Sequence, residues 1–427
     1  MNNYEKCPVI SSHKRLMDCH AMWHAMADSY MQPDTFRMHL NSLIQGLRNV
    51  TFLLQKQKSE LPNFETWYTR FQEEAKADPI MRWVVKSRNR VVKESDLELL
   101  SEVKVRWVAD WANKKERKFT FPPRMPSEAI LGSLLATPGN RRVGVVTVSR
   151  RWVDSGLPDR ELMSATREAF ITLSSLLADA HEAFGAGSCG LGERDPECVS
   201  DVLVRDPLNC MDINPGQLQE HLDLSAMRGI DEVLTPISYD EGKAAKARKR
   251  YGVNDFTRGN PIEIAPQMMD HARSVLARDK SHMNVVWLFR GDEVVEFMSP
   301  NYADQNAKYL AFHRIADRVE THRADGILLI AEMWYVNDYK YDDQGKVIPA
   351  RDRGKDRREA LHVLSATRDG RVASLIAPFS RKLLGGIQLE DTFAEGDVEY
   401  SSLGILTPII ERWREMENES SESTATE

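Results

Sequence analysis

The sequence predicts an α+β protein: an N-terminal helical bundle with a small strand insertion, then a C-terminal α/β domain built on a mostly antiparallel sheet. Three observations predict it. Apolar residues recur at helical spacing through the first hundred residues. The period shortens to two near 102 and again near 143. From 263 onward, apolar runs of strand length alternate with helix-length amphipathic stretches and tight-turn residues. At 427 residues the chain exceeds one ordinary core, which also predicts two domains.

A first helix is expected near 13–30. In PDTFRMHLNSLIQGLRNVTFLLQKQK the apolar positions 36, 40, 43, 44, 47, 50 and 54 form one stripe, with Asp34 as the expected N-cap. Shorter helices follow near 63–76 and 80–93, and short connections suggest an antiparallel bundle. EVKVRWVADW (102–111) and VGVVTVSRRWV (143–153) alternate as strands do, which places the insertion at about 102–150. A long helix over 159–185, capped by Gly185, completes a first domain of 1–185. Residues 186–262 carry Gly, Pro and Asp without periodicity and are expected to be an irregular linker holding the basic run KAAKARKRY (243–251), read as a solvated helix face or linker.

The second domain, 263–414, opens with a helix (264–278). NVVWLF, the turn RGD and EVVEFM then form a hairpin (284–298). A helix at 303–322, the run GILLIAEMWYV (326–336), EALHVLSAT (359–367) and VASLIAPF (372–379) complete a sheet of about five strands. The charged loop 341–358 is expected to face solvent. The tail, 415–427, lacks apolar content and is expected to be disordered.

The net charge of −7 argues against wholesale coating of nucleic acid, although residues 81–120 hold 11 basic and 6 acidic side chains. No apolar run is long enough to span a membrane. Five widely spaced cysteines (7, 19, 189, 198, 210) and no secretory signal suggest a reducing, cytoplasmic setting.

Function turns on MRWVVKSRNRVVKESDLE (81–98). Reading Ile80, Met81, Val84, Val85, Val91 and Val92 as its buried stripe puts Arg88 where a core residue belongs, with Asn89 at its border. Burying a guanidinium costs several kcal/mol unless it is paired. The leading expectation is therefore a structural ion pair, with a groove or subunit interface as the functional reading. Arg88-Asn89 on a bundle helix resembles the start of the motif that marks the HEPN superfamily. Many HEPN members are metal-independent ribonucleases or degenerate relatives, and they commonly dimerise through their motif helices. Lys93 stands where that motif has histidine. Imidazole titrates near neutrality and can serve as both acid and base, which an ordinary ammonium does poorly. The whole sequence also resembles bacterial proteins that join such a bundle to a C-terminal α/β unit. The HEPN resemblance implies a homodimer and an RNA partner, and the missing histidine makes a binding or regulatory role the leading expectation. The alternatives are a ribonuclease of defence or toxin–antitoxin type, with Arg88, Asn89 and Lys93 as catalytic candidates, and a purely structural oligomerisation protein.

The other constellations read more plainly. His13, His20 and His24 share a helix face, but Ala21 stands where HExxH needs glutamate, so a half-buried face is expected there. Cys189, Cys198 and Cys210, with His181 upstream, lack the paired spacing of zinc sites. Neither a metal nor a cofactor is expected. In the second domain Glu332, Trp334, Arg358, Glu359 and Arg381 can line a ligand pocket. The leading expectation is instead a cross-strand ion pair with a buried Trp334.

Overall fold

A computed structural model of the chain describes residues 7–94, 97, 99–121, 124–136, 143–184, 209–211, 213, 218–231, 233–253, 258–336, 338, 340, 341, 348, 350–382, 386–395 and 404–424. The fold is α+β, with most of its helices in the N-terminal half and antiparallel pairing in the C-terminal sheet. The chain divides into two compact units. Unit 1 is Met1–Arg106, Glu116–Arg142 and Val146–Leu222; unit 2 is Trp107–Lys115, Val143–Val145 and Asp223–Glu427.

Unit 1 contains α1 (Ile10–Asp28), α2 (Pro33–Lys56), α3 (Phe64–Ala77), α4 (Pro79–Lys93), β1 (Leu99–Val108), β2 (Lys114–Phe121), α5 (Ser127–Leu135), β3 (Val145–Asp154), α6 (Leu162–Ala183) and β4 (Gln219–Asp223). The α2 stripe read from the sequence is the buried one, with Phe36, Leu40, Leu43, Ile44, Leu47, Val50 and Leu54 all inside. Its N-cap is Gln32, not Asp34, because Pro33 takes the first helical position and moves Asp34 into the first turn. Asp78 does cap α4: its Oδ1 accepts from the amides of Ile80 (2.7 Å) and Met81 (3.3 Å).

Helices α1, α2, α4 and α6 pack on one another, and strands run in the order β2-β1-β3-β4. Aromatic residues tie β3 to the helices. The Trp152 indole donates to the Tyr30 carbonyl (2.9 Å) and stacks on Phe36, and the Tyr30 hydroxyl donates to the Arg150 carbonyl (2.9 Å). The strand insertion does not belong wholly to the bundle, since its hairpin tip, Trp107–Lys115, falls in unit 2. There Trp111 packs edge-on to Tyr309 and Phe312, and His313 hydrogen-bonds the Asp110 carbonyl at 2.9 Å.

Unit 2 contains β5 (Arg228–Ile230), β6 (Leu234–Pro236), α7 (Glu241–Tyr251), α8 (Pro261–Asp279), β7 (Val285–Arg290), β8 (Glu293–Pro300), α9 (Gln305–His322), β9 (Gly326–Tyr335), β10 (Arg358–Thr367), β11 (Val372–Arg381), β12 (Ile387–Leu389), β13 (Phe393–Ala394) and α10 (Thr407–Thr424). The sheet order is β12-β11-β10-β9-β7-β8-β6, with β13 also on β11, and the described pairings are antiparallel. Among the described residues the sheet has eight strands where about five are expected, because pieces of two or three residues carry no period. Alternation decides the layers. Leu328, Ile330, Leu361 and Val363 face the core under α8, while Ile327, Leu329, Leu364 and Ala366 face the core of α9 and α10.

Three expectations need correction here. The described part of 186–262 is not a plain linker: β4 belongs to unit 1, and β6 pairs with β8. KAAKARKRY does form a helix face without a buried residue, in α7. The tail is helical to Thr424, because Ile409, Ile410 and Trp413 anchor α10 in the core and its glutamate-rich continuation favours helix. In the charged loop, Arg353 is buried and donates to the Asp338 carboxylate (2.8 Å) and carbonyl (3.0 Å). Gly185, Cys189 and Cys198 lie outside the described residues.

Candidate functional site

Helix α4 buries the first part of the predicted stripe but is rotated so that Trp83 and Ser87 replace Val85 and Val92 on its inner face. Ile80, Met81, Trp83, Val84 and Ser87 are inside, while Val85 and Val92 are 37% and 50% exposed. Trp83 sets this rotation. Its indole N–H donates at 2.9 Å to Asp154 Oδ2, and that carboxylate is itself buried. A ring of that area, with a buried acceptor for its one donor, outweighs two small valines. Arg88 is consequently half-buried at the helix margin and, among the described residues, meets no carboxylate. The buried ion pair expected for it does not form. Its Nη1 donates to the exposed Asn89 side chain at 3.3 Å, and Lys93 is exposed in the last turn.

What Arg88 does meet is aromatic. Phe52 of α2 is 39% exposed, with the Arg48 guanidinium 4.2 Å and the Arg88 guanidinium 5.7 Å from its ring centre. Burial holds Arg48 below its ordinary value; Tyr68 opposes this and the nearby Arg88 adds to it. A groove of about 320 Å³ adjoins this patch between α2, α3 and α4, and Arg48, Lys76, Arg82 and Lys86 are its charged lining. Helix α4 carries Arg82, Lys86, Arg88, Arg90 and Lys93 and no acidic residue. Arg48 and Phe52 escaped the sequence reading. Their spacing of four on the side of α2 away from its apolar stripe was the available signal.

In unit 2 the predicted pocket residues separate into three contacts. Arg381 joins Glu332 (2.7 Å) and Glu359 (3.2 Å), and Glu332 also accepts from the His282 amide (2.6 Å). Arg358 pairs with Glu390. Trp334 is 43% exposed with the Arg357 guanidinium 4.1 Å over its ring, so the buried indole expected there is not found. Trp334 lies near the end of β9, opposite Glu359 on β10, where the sheet no longer covers it. These charges satisfy one another at a sheet margin.

The histidines of α1 do not share one environment. His13 is fully buried beside Cys7 (3.7 Å) and across from His181, and burial, then repulsion from His181, pushes it down to about 4. Cys7 Sγ lies 3.3 Å from His181 Nε2, whose other ring nitrogen bonds the Leu177 carbonyl at 2.7 Å. His20 and His24 converge on Cys210 two turns further along. Cys210 and His181, placed together by the sequence reading, are thus divided between two groups. Contacts across 174 and 190 residues leave no local spacing to read.

No helix among the described residues is long and apolar enough to cross a membrane. No solved structure matches the chain. Protein ea47 of Escherichia phage lambda is 22% identical over 342 residues, covering 75% of this chain and 78% of that protein. The family described as bacteriophage lambda protein ea47 matches residues 1–426, and the chain belongs to that family.

Proposed function

We propose that this protein binds single-stranded RNA on the outer face of α2 and α4, in a binding or regulatory role. The observation that carries this reading is the exposed Phe52 ring flanked by the Arg48 and Arg88 guanidinium groups, beside a helix with five cations and no anion. An aromatic face offers a stacking platform to any base, and the surrounding cations neutralise phosphates. The resemblance of Arg88-Asn89 to the HEPN motif favours RNA over DNA. Lys93 in the histidine position favours binding over cleavage. The same reading takes the protein as a cytoplasmic homodimer, in which a second copy doubles the phosphate contacts.

Fluorescence anisotropy with a labelled single-stranded oligoribonucleotide tests it. The affinity is expected to fall steeply with salt, and Phe52→Ala to weaken binding by about 1–3 kcal/mol, the usual worth of one stacked base. Arg88→Ala is expected to reduce the salt dependence by about one phosphate contact. Binding that ignores both substitutions, or that is absent at low salt, overturns the proposal. Wild-type cleavage that is lost in Lys93→Ala would instead establish the ribonuclease.

A further inference from the structure

Of the chain's eleven histidines and five cysteines, four and two gather in two triplets against α1. The two triplets differ in kind. Cys7, His13 and His181 are sealed in the core, where three ligands leave an ion no water to complete its shell. The second triplet is half-buried. His20 and His24, four residues apart on α1, bring their Nε2 atoms to 3.2 Å, and Cys210 Sγ lies 3.2 Å from His20 Nε2. All three ligand atoms fall within 4.8 Å of one another.

We propose that His20, His24 and Cys210 form a binding site for a zinc-class divalent ion. Zinc bonds of about 2.0–2.1 Å to nitrogen and 2.3 Å to sulfur give a tetrahedron with edges of roughly 3.3–3.6 Å. The observed 3.2 Å separations need only small adjustments to become such edges. Two imidazoles and a thiolate are a donor set for borderline-soft metals, and calcium or magnesium would want oxygen. A zinc ion held by three protein ligands takes water as its fourth. Helix geometry supplies the two histidines at fixed spacing, since residues four apart stack on one face. Cys210 comes from the single turn Asn209–Met211. The ion therefore ties that turn to α1.

The full-length protein, stripped with chelator and reduced, is titrated with Co²⁺ as a spectroscopic stand-in and with Zn²⁺ against a chromophoric chelator. One equivalent of Co²⁺ is expected to give a thiolate charge-transfer band in the near ultraviolet and visible bands typical of tetrahedral coordination. Cys210→Ser is expected to abolish the charge-transfer band. His24→Gln, at a half-buried position that tolerates change, is expected to weaken Zn²⁺ binding by about 100-fold or more. Cys7→Ser is expected to leave both readouts unchanged. Zinc should raise the melting temperature of the wild type and not that of His24→Gln. The proposal is overturned if no thiolate band forms, if His24→Gln binds zinc as the wild type does, or if the band disappears in Cys7→Ser.

Discussion

The indole N–H of Trp83 donates to Asp154, whose carboxylate also accepts from the Gly156 amide at 2.9 Å and lies out of water. Removing the donor while keeping a ring leaves part of a buried anion unsatisfied. Trp83→Phe is therefore expected to destabilise the protein by about 1–3 kcal/mol in urea denaturation. Arg88→Ala removes a half-exposed side chain with no carboxylate partner among the described residues, so its stability is expected to stay within about 0.5 kcal/mol of wild type. A larger loss in Arg88→Ala than in Trp83→Phe would show that the valine face, not the tryptophan face, is the inner one. Arg88 was legible as an anomaly in the sequence. The remedy was not, because it consists of rotating the helix toward an acceptor 71 residues away.

Helices α1 and α2 pack together at Gly46, where an added Cβ would sit 2.8 Å from Cys19 Sγ. The backbone there is helical and accepts alanine, so the obstacle is purely steric. Cys19 is completely buried and has no room to yield. Gly46→Ala is expected to cost about 1–3 kcal/mol through overpacking, although alanine is the better helix former by about 1 kcal/mol. A stabilised Gly46→Ala protein in thermal melts would show that this crossing is looser than described. Burial also pushes the Cys19 thiol up to about 12, so it should resist alkylation in the native state. At this scale the long amphipathic helices and the strands with two-residue alternation were readable from period alone. The two- and three-residue strands β5, β6, β12 and β13 were not, since pairing with a neighbour is what makes them strands.

For the molecule as a whole, part of the pH dependence of stability follows from a histidine in the sheet of unit 2, beside the similarly shifted His13 of unit 1. His362 Nε2 lies 2.9 Å from Ser374 Oγ, which donates to Glu395 at 2.8 Å. Burial lowers this imidazole to about 4; Glu395 opposes the shift and Lys308 adds to it. Because the folded pKa is below the unfolded one, the unfolded chain binds more protons between the two values. The stabilisation from neutral His362 is therefore complete above about pH 6.5 and lost as pH falls toward 4. It amounts to at most about 3 kcal/mol. His362→Gln is expected to flatten that acid limb in chemical denaturation at pH 7, 5.5 and 4.5, and an unchanged limb would assign the acid sensitivity to other groups. By itself the sequence determined the fold class, the long helices and the hairpin strands, because periodicity is a local property of adjacent residues. The tertiary structure decided which face of α4 is buried, which triplets the histidines and cysteines join, and that Phe52 lies between two guanidinium groups. Each of these depends on side chains from distant segments competing for one place, and no spacing along the chain records who wins.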